Sequence, residues 1–118
     1  MGNSSLAIRP LPEAERSVAF GSITNAYLAI GAPLAHPAIV IIFDNQTETQ
    51  IQISWDGTNT WKTFAPGQSL VLDLQANKGR GEAMQAAQGT QFYIRYVSAP
   101  GTFAFYISVL YGANFDNL

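Results

Sequence analysis

Thr49-Gln50-Ile51-Gln52-Ile53-Ser54-Trp55 alternates polar and apolar residues without a break, a period that fits a half-buried strand and no helix. Ile51, Ile53 and Trp55 are expected to face a core, with Gln50, Gln52 and Ser54 turned outward. Asp56-Gly57-Thr58-Asn59 follows and separates Trp55 from Trp61, a hairpin signal that makes Thr60–Phe64 the return strand. Ala65-Pro66-Gly67-Gln68 reads as a type II turn, because proline fixes φ at the second position and glycine supplies the positive φ at the third.

The same grammar recurs along the chain. Ala38–Phe43 is a β-branched run suited to a strand buried on both faces, and Asp44–Glu48 is turn chemistry. Ser69–Leu74 is a further strand. Thr90–Val97 is another, with Phe92, Ile94 and Tyr96 on one face; Ala99-Pro100-Gly101-Thr102 turns the chain, and Phe103–Tyr111 closes the domain. Lys78–Glu82 is loop-like and Met84–Ala87 has the composition of one helical turn. With Val18–Ala29 as one or two strands, the sequence predicts seven to nine short strands at roughly ten-residue spacing: an antiparallel β-sandwich or jelly roll. Residues 1–16, interrupted by Pro10 and Pro12, read as an extended N-terminal arm. Residues 17–112 form the sandwich domain and residues 113–118 a C-terminal tail.

Charge narrows the function. Only 12% of the 118 residues are charged while 47% are apolar, and Ser17–Phe43 contains no Asp, Glu, Lys or Arg. A domain of this size needs surface charge to stay apart from its neighbours. An exterior this poor in charge implies companions, either copies of itself or other subunits. The net charge of −2 offers no footprint for nucleic acid. The start of the chain does not read as a signal peptide. Pro33, His36 and Pro37 interrupt the uncharged stretch, so it does not read as a membrane span.

Chemistry is sparse. There is no cysteine and a single histidine, His36, with no partner at any recognisable spacing. The carboxylates are dispersed, and no Asp-x-Asp-x-Asp run suggests calcium. We therefore expect no enzyme, no metal and no cofactor. Asn45-Gln46-Thr47 matches the N-glycosylation acceptor pattern. Trp61, Asn59 and Tyr93 are candidate groups for stacking on a sugar, although core or interface packing is the simpler role for the tryptophans.

Phe43–Thr47, Ile53–Gly57, Pro66–Leu74, Gly89–Tyr96 and Ala99–Thr102 together resemble the strand-and-turn pattern of small structural proteins of tailed bacteriophage virions. The resemblance covers about residues 38–112 and carries no catalytic signature. It implies a capsid decoration (cement) protein that bridges neighbouring capsid subunits, or alternatively a head-to-tail connector or neck-ring subunit. The implied location is the virion, assembled in the host cytoplasm, and the implied partners are the major capsid protein and further copies of the chain. A carbohydrate-binding module is a third reading. For the assembly readings the candidate contact residues are Leu6, Ile8, Phe20, Ile23, Tyr27 and Leu28.

Overall fold

A computed structural model describes residues 8–74 and 86–114. Nine strands are found among them: β1 (Ile8–Pro12), β2 (Arg16–Ala19), β3 (Leu28–Ala29), β4 (Ala38–Asn45), β5 (Ile51–Ser54), β6 (Thr60–Phe64), β7 (Ser69–Asp73), β8 (Tyr93–Tyr96) and β9 (Ala104–Asn114). They form two antiparallel sheets. In the first, β1 and β2 both run along β9, which pairs with β4, which pairs with β7; the second has the order β3-β8-β5-β6.

The pairing is nested. The β1–β2 segment pairs with β9, β3 with β8, β4 with β7, and β5 with β6. The chain is thus one long ribbon doubled back at the β5–β6 hairpin, and the β4–β9 and β5–β8 ladders roll it up. This is a jelly roll, as the strand spacing predicted.

Its N-terminal segment departs from the expected arm. From Ile8 on, the segment read as lying outside the domain is built into the first sheet. β9 runs to Asn114, past the expected end of the domain at residue 112, and pairs there with Ile8. Pro10 and Pro12 fit because β1 is an edge strand, where a missing N–H costs no ladder bond. Pro12 opposes Leu110 and Arg16 opposes Ile107, so Glu13, Ala14 and Glu15 face only Ser108 and Val109. The extra residue makes a β-bulge, pinned by the Glu13 amide donating to the Val109 carbonyl at 3.0 Å. Leu6, the Lys78–Glu82 loop, Met84 and Gln85 of the expected helical turn, and residues 115–118 lie outside the described residues, while Ala86 of that turn makes an antiparallel β-bridge with Ala38.

Between the sheets, Ile41 and Phe43 of β4 meet Ile51 and Ile53 of β5, Phe64 of β6, Phe92 just before β8, Ile94 of β8, and Phe105, Ile107 and Val109 of β9, all buried. Edge-to-face contacts tie the layers, with Phe43 against Phe92 at 5.5 Å and Phe64 against Phe105 at 5.4 Å. β4 is not buried on both faces. Ala38, Ile41, Phe43 and Asn45 are buried while Val40, Ile42 and Asp44 are half-buried, because the described chain supplies no third layer. Ser54 also departs from expectation. It is fully buried, yet it pairs with Tyr93 and so keeps the outer side of β5, covered there by the loop after it. Its hydroxyl donates to Asp56 Oδ1 at 2.9 Å and accepts from the Gly57 amide at 2.9 Å. Gly67, at φ 74°, makes the expected turn and carries the chain from one sheet to the other.

Candidate interaction surface

Directly paired residues of an antiparallel sheet share a face. The outward row of the first sheet can therefore be read from its register. Val71 lies beside Ile42 and Ile42 beside Ser108; Val40 lies beside Leu110, and Leu110 beside Pro12. Asp44 lies beside Tyr106, which lies beside Ser17. Val71 is 60% exposed. Across four strands this face presents Val71, Ile42, Val40, Leu110, Pro12 and Tyr106, with Asp44 and Asp73 at its rim. A scattered apolar residue on a surface is ordinary, but a contiguous patch marks an interaction site.

One end of the sandwich adds two phenylalanines. Phe20 is 41% exposed and Phe103 72% exposed, and the Phe20 amide donates to the Phe103 carbonyl at 2.9 Å. Phe103 has φ 62°, in the left-handed region that a bulky side chain normally avoids. The loop before it is pinned by Glu48, whose Oε1 accepts the amides of Gly101 at 2.9 Å and Thr102 at 3.2 Å. The Gly101 amide is the main reason that the Glu48 carboxyl sits below its ordinary pKa. Beside Phe103 is a cleft of about 380 Å³ lined also by Glu15, Asp44, Gln46 and Tyr106.

A polar cluster lies farther along the same edge strand. Glu13, on the bulge, has a side chain only 5% exposed. Its Oε1 accepts from Arg16 Nη2 at 2.8 Å, and its Oε2 accepts the His36 amide at 2.8 Å and His36 Nδ1 at 2.9 Å. A carboxylate only accepts, so His36 carries its proton on Nδ1. Burial pushes the Glu13 pKa up, but the bonds from Arg16, His36 and the amides of Ala35 and His36 outweigh it and hold the pKa below the ordinary 4.5. Buried Arg16 also donates to the carbonyls of Ala14, Ala32 and Pro33. His36 stacks on Tyr111 with centroids 3.7 Å apart.

Gly31 is required beside this cluster. It lies at φ 68°, and a Cβ there would sit 2.5 Å from Arg16 Cγ. A recess of about 550 Å³ opens against these residues. The carboxylate and guanidinium facing it are already bonded within the chain, so the cluster works as a latch between the edge strand and the 31–37 loop. His36 therefore has a partner, 23 positions earlier in the chain.

The remaining candidate residues fall in different places. Ile23 is 4% exposed and belongs to the core, which removes it from any contact surface. Leu28 is half-buried against the core. Ile8 pairs with Asn114 at the end of β1. Tyr27 lies on the outer face of the second sheet, where its hydroxyl bonds Thr60 Oγ1 and its ring lies under the Arg95 guanidinium at 4.5 Å. Arg95 Nε also donates to Gln52 Oε1 at 2.7 Å.

Trp61 is 39% exposed, with its ring resting against Phe43 and edge-on to Trp55 at the margin of the core. Tyr93 alternates with the inward Phe92 and Ile94 and faces out, lying 3.3 Å from the position of a Cβ on Gly57. Trp61 and Tyr93 therefore do not form one stacking platform. Asn59 is used in its own loop, donating through Nδ2 to Asp56 Oδ2 at 2.8 Å. The amides of Asn59 and Thr58, with the Asn59 and Ser54 side chains, hold the Asp56 carboxyl far below its ordinary pKa.

Asn45 is not an accessible acceptor for a glycan. It is fully buried, and its Nδ2 donates to the carbonyls of Thr49 at 2.9 Å, Ala65 at 3.0 Å and Phe64 at 3.3 Å. Among the described residues no three His, Cys, Asp or Glu side chains gather as a metal site. No helix among them is long and apolar enough to cross a membrane. Comparison of the chain with protein-family models, curated proteins and solved structures finds no match.

Proposed function

We propose that the protein is a non-enzymatic structural subunit of a virion, a capsid decoration protein that oligomerises and bridges neighbouring capsid subunits. The observation that carries this reading is the apolar outer face of the first sheet, running from Val71 through Ile42 and Val40 to Leu110 and Pro12. A few hundred Å² of such surface, at roughly 25 cal/mol per Å², supplies several kcal/mol before the costs of association. Low overall charge and the likeness to phage structural proteins across residues 38–112 support the same reading. The mechanism is mechanical: shell rupture must also break the contacts that the bound subunits make.

The test is the copy number of the protein on purified particles, together with retention of Val71→Glu. Hundreds of copies per particle and release of the variant are expected. About six or twelve copies would point instead to a connector or neck ring. Absence from particles, or full retention of Val71→Glu, would overturn the proposal. A carbohydrate-binding reading draws on the outer face of the second sheet, where Tyr27, Arg95, Gln52 and Thr60 are held in one bonded network. A flat response on a glycan array would remove it.

A further inference from the structure

We infer that the tip bearing Phe20 and Phe103 docks a segment of a partner protein in which an apolar side chain is flanked by lysine or arginine. The inference rests on the reading above, that the chain works by docking onto other subunits, and names the chemistry of one contact.

Three features converge at the tip. Phe103 is 72% exposed and held at φ 62°, where glycine or asparagine would sit without strain. Strain kept in place by its surroundings is a mark of functional positions. Here the surroundings are the Glu48 carboxylate gripping the Gly101 and Thr102 amides on one side and the Phe20 amide bonded to the Phe103 carbonyl on the other. The backbone is built so that a large aromatic ring stands in solvent, next to a second exposed one.

Charge selects the occupant. The cleft beside Phe103 is lined by two carboxylates, Glu15 and Asp44, with Gln46 and Tyr106 and, among the described residues, no basic side chain. Among the described residues Asp44 accepts from Gln46 Nε2 at 2.7 Å and Glu15 from Ser108 Oγ at 3.3 Å, so both keep acceptor capacity toward the cleft. A second copy meeting this patch with its own would bring four carboxylates together, which is repulsive. A segment offering Lys or Arg beside an apolar anchor satisfies both the rings and the acids.

The experiment is an amide NMR titration of the intact protein with three synthetic twelve-residue peptides. They share one Leu-Phe centre and differ in flanks of Lys, Gln or Asp. The Lys-flanked peptide is expected to shift the amides of residues 20, 44 and 101–106, and to bind at least tenfold more tightly than the Asp-flanked one. Phe103→Ser should weaken it at least tenfold while leaving the amide spectrum of the core unchanged. Equal binding of all three peptides, or shifts centred elsewhere, would overturn the inference. Shifts of the same amides on diluting the protein alone would also overturn it, in favour of a second copy.

Particle binding separates the two proposals. Wild-type protein on particles with Phe103→Ser retained within twofold sinks the docking site alone. Lys-peptide binding by a protein found on no particle sinks the virion reading alone.

Discussion

Glu13→Gln removes one charge from the latch and leaves its shape almost unchanged. Arg16 would then hold a buried cation with no carboxylate beside it, at a site where Glu13 and Arg16 are 5% and 7% exposed. Removing one partner of a buried pair costs about 3–5 kcal/mol. Arg16 keeps the carbonyls of Ala14, Ala32 and Pro33, which brings the expected loss below that range, to about 2–3 kcal/mol. Against a total stability of about 5–15 kcal/mol this is large, and for a chain of this size it lowers the Tm by on the order of 10 °C.

The pH dependence has a fixed sign. Glu13 is held below 4.5 in the folded state, so its contribution is complete above the unfolded value and is lost as pH falls through the folded one. Urea denaturation should therefore show a constant gap between wild type and variant from pH 7 down to about pH 5, narrowing below it as the wild-type carboxyl protonates. A gap under about 0.5 kcal/mol at pH 7, or one that persists undiminished at pH 3, would refute the latch.

Two further substitutions test other parts of the fold. Asn45→Asp puts a carboxylate against the carbonyls of Thr49, Phe64 and Ala65, and should cost more than about 3 kcal/mol at pH 7 with partial recovery at acid pH, measured by urea denaturation. At position 103, glycine escapes a left-handed strain of about 1–2 kcal/mol that alanine retains, which outweighs the flexibility cost of glycine of about 0.5–1 kcal/mol. Phe103→Gly should therefore be more stable than Phe103→Ala in thermal denaturation, and the opposite order would show that the backbone there is extended.

The strands from β4 to β9 were legible because their signals are local. Ile51 and Ile53 alternate with polar neighbours, Gly57 and Gly67 sit at turns that need positive φ, and both glycines adopt it. What the sequence hid depends on contacts between distant residues. Pro10 and Pro12 look like breaks until β9 is seen to lie on one side only, which makes their segment an edge strand. Ser54 keeps the side of the strand that periodicity assigns it, but the loop bonded to its hydroxyl through Asp56 and the Gly57 amide buries it. Glu13 and Arg16 are three apart and could have been paired, but His36 joins them only through the roll of the sheets. Asn45 looked like an exposed turn residue; its burial follows from the carbonyls of residues 49, 64 and 65 converging on it.

The jelly roll also explains why the latch and the proposed docking tip share one strand. Nested pairing brings the first described strand against the last, so the β1–β2 edge is held to the molecule by β9 on one side only. An edge with a bulge in it has few ladder bonds near the bulge, and the Glu13 cluster supplies side-chain bonds at that point. From Arg16 the strand runs only through Ser17, Val18 and Ala19 before Phe20, whose amide then grips the carbonyl of Phe103. A pull on the tip is thus resisted first by the short β2 ladder and then by the latch. A load-resisting contact is best placed in that order, since peeling an edge strand from its free end breaks ladder bonds one at a time, whereas here the peel ends at a buried ion pair.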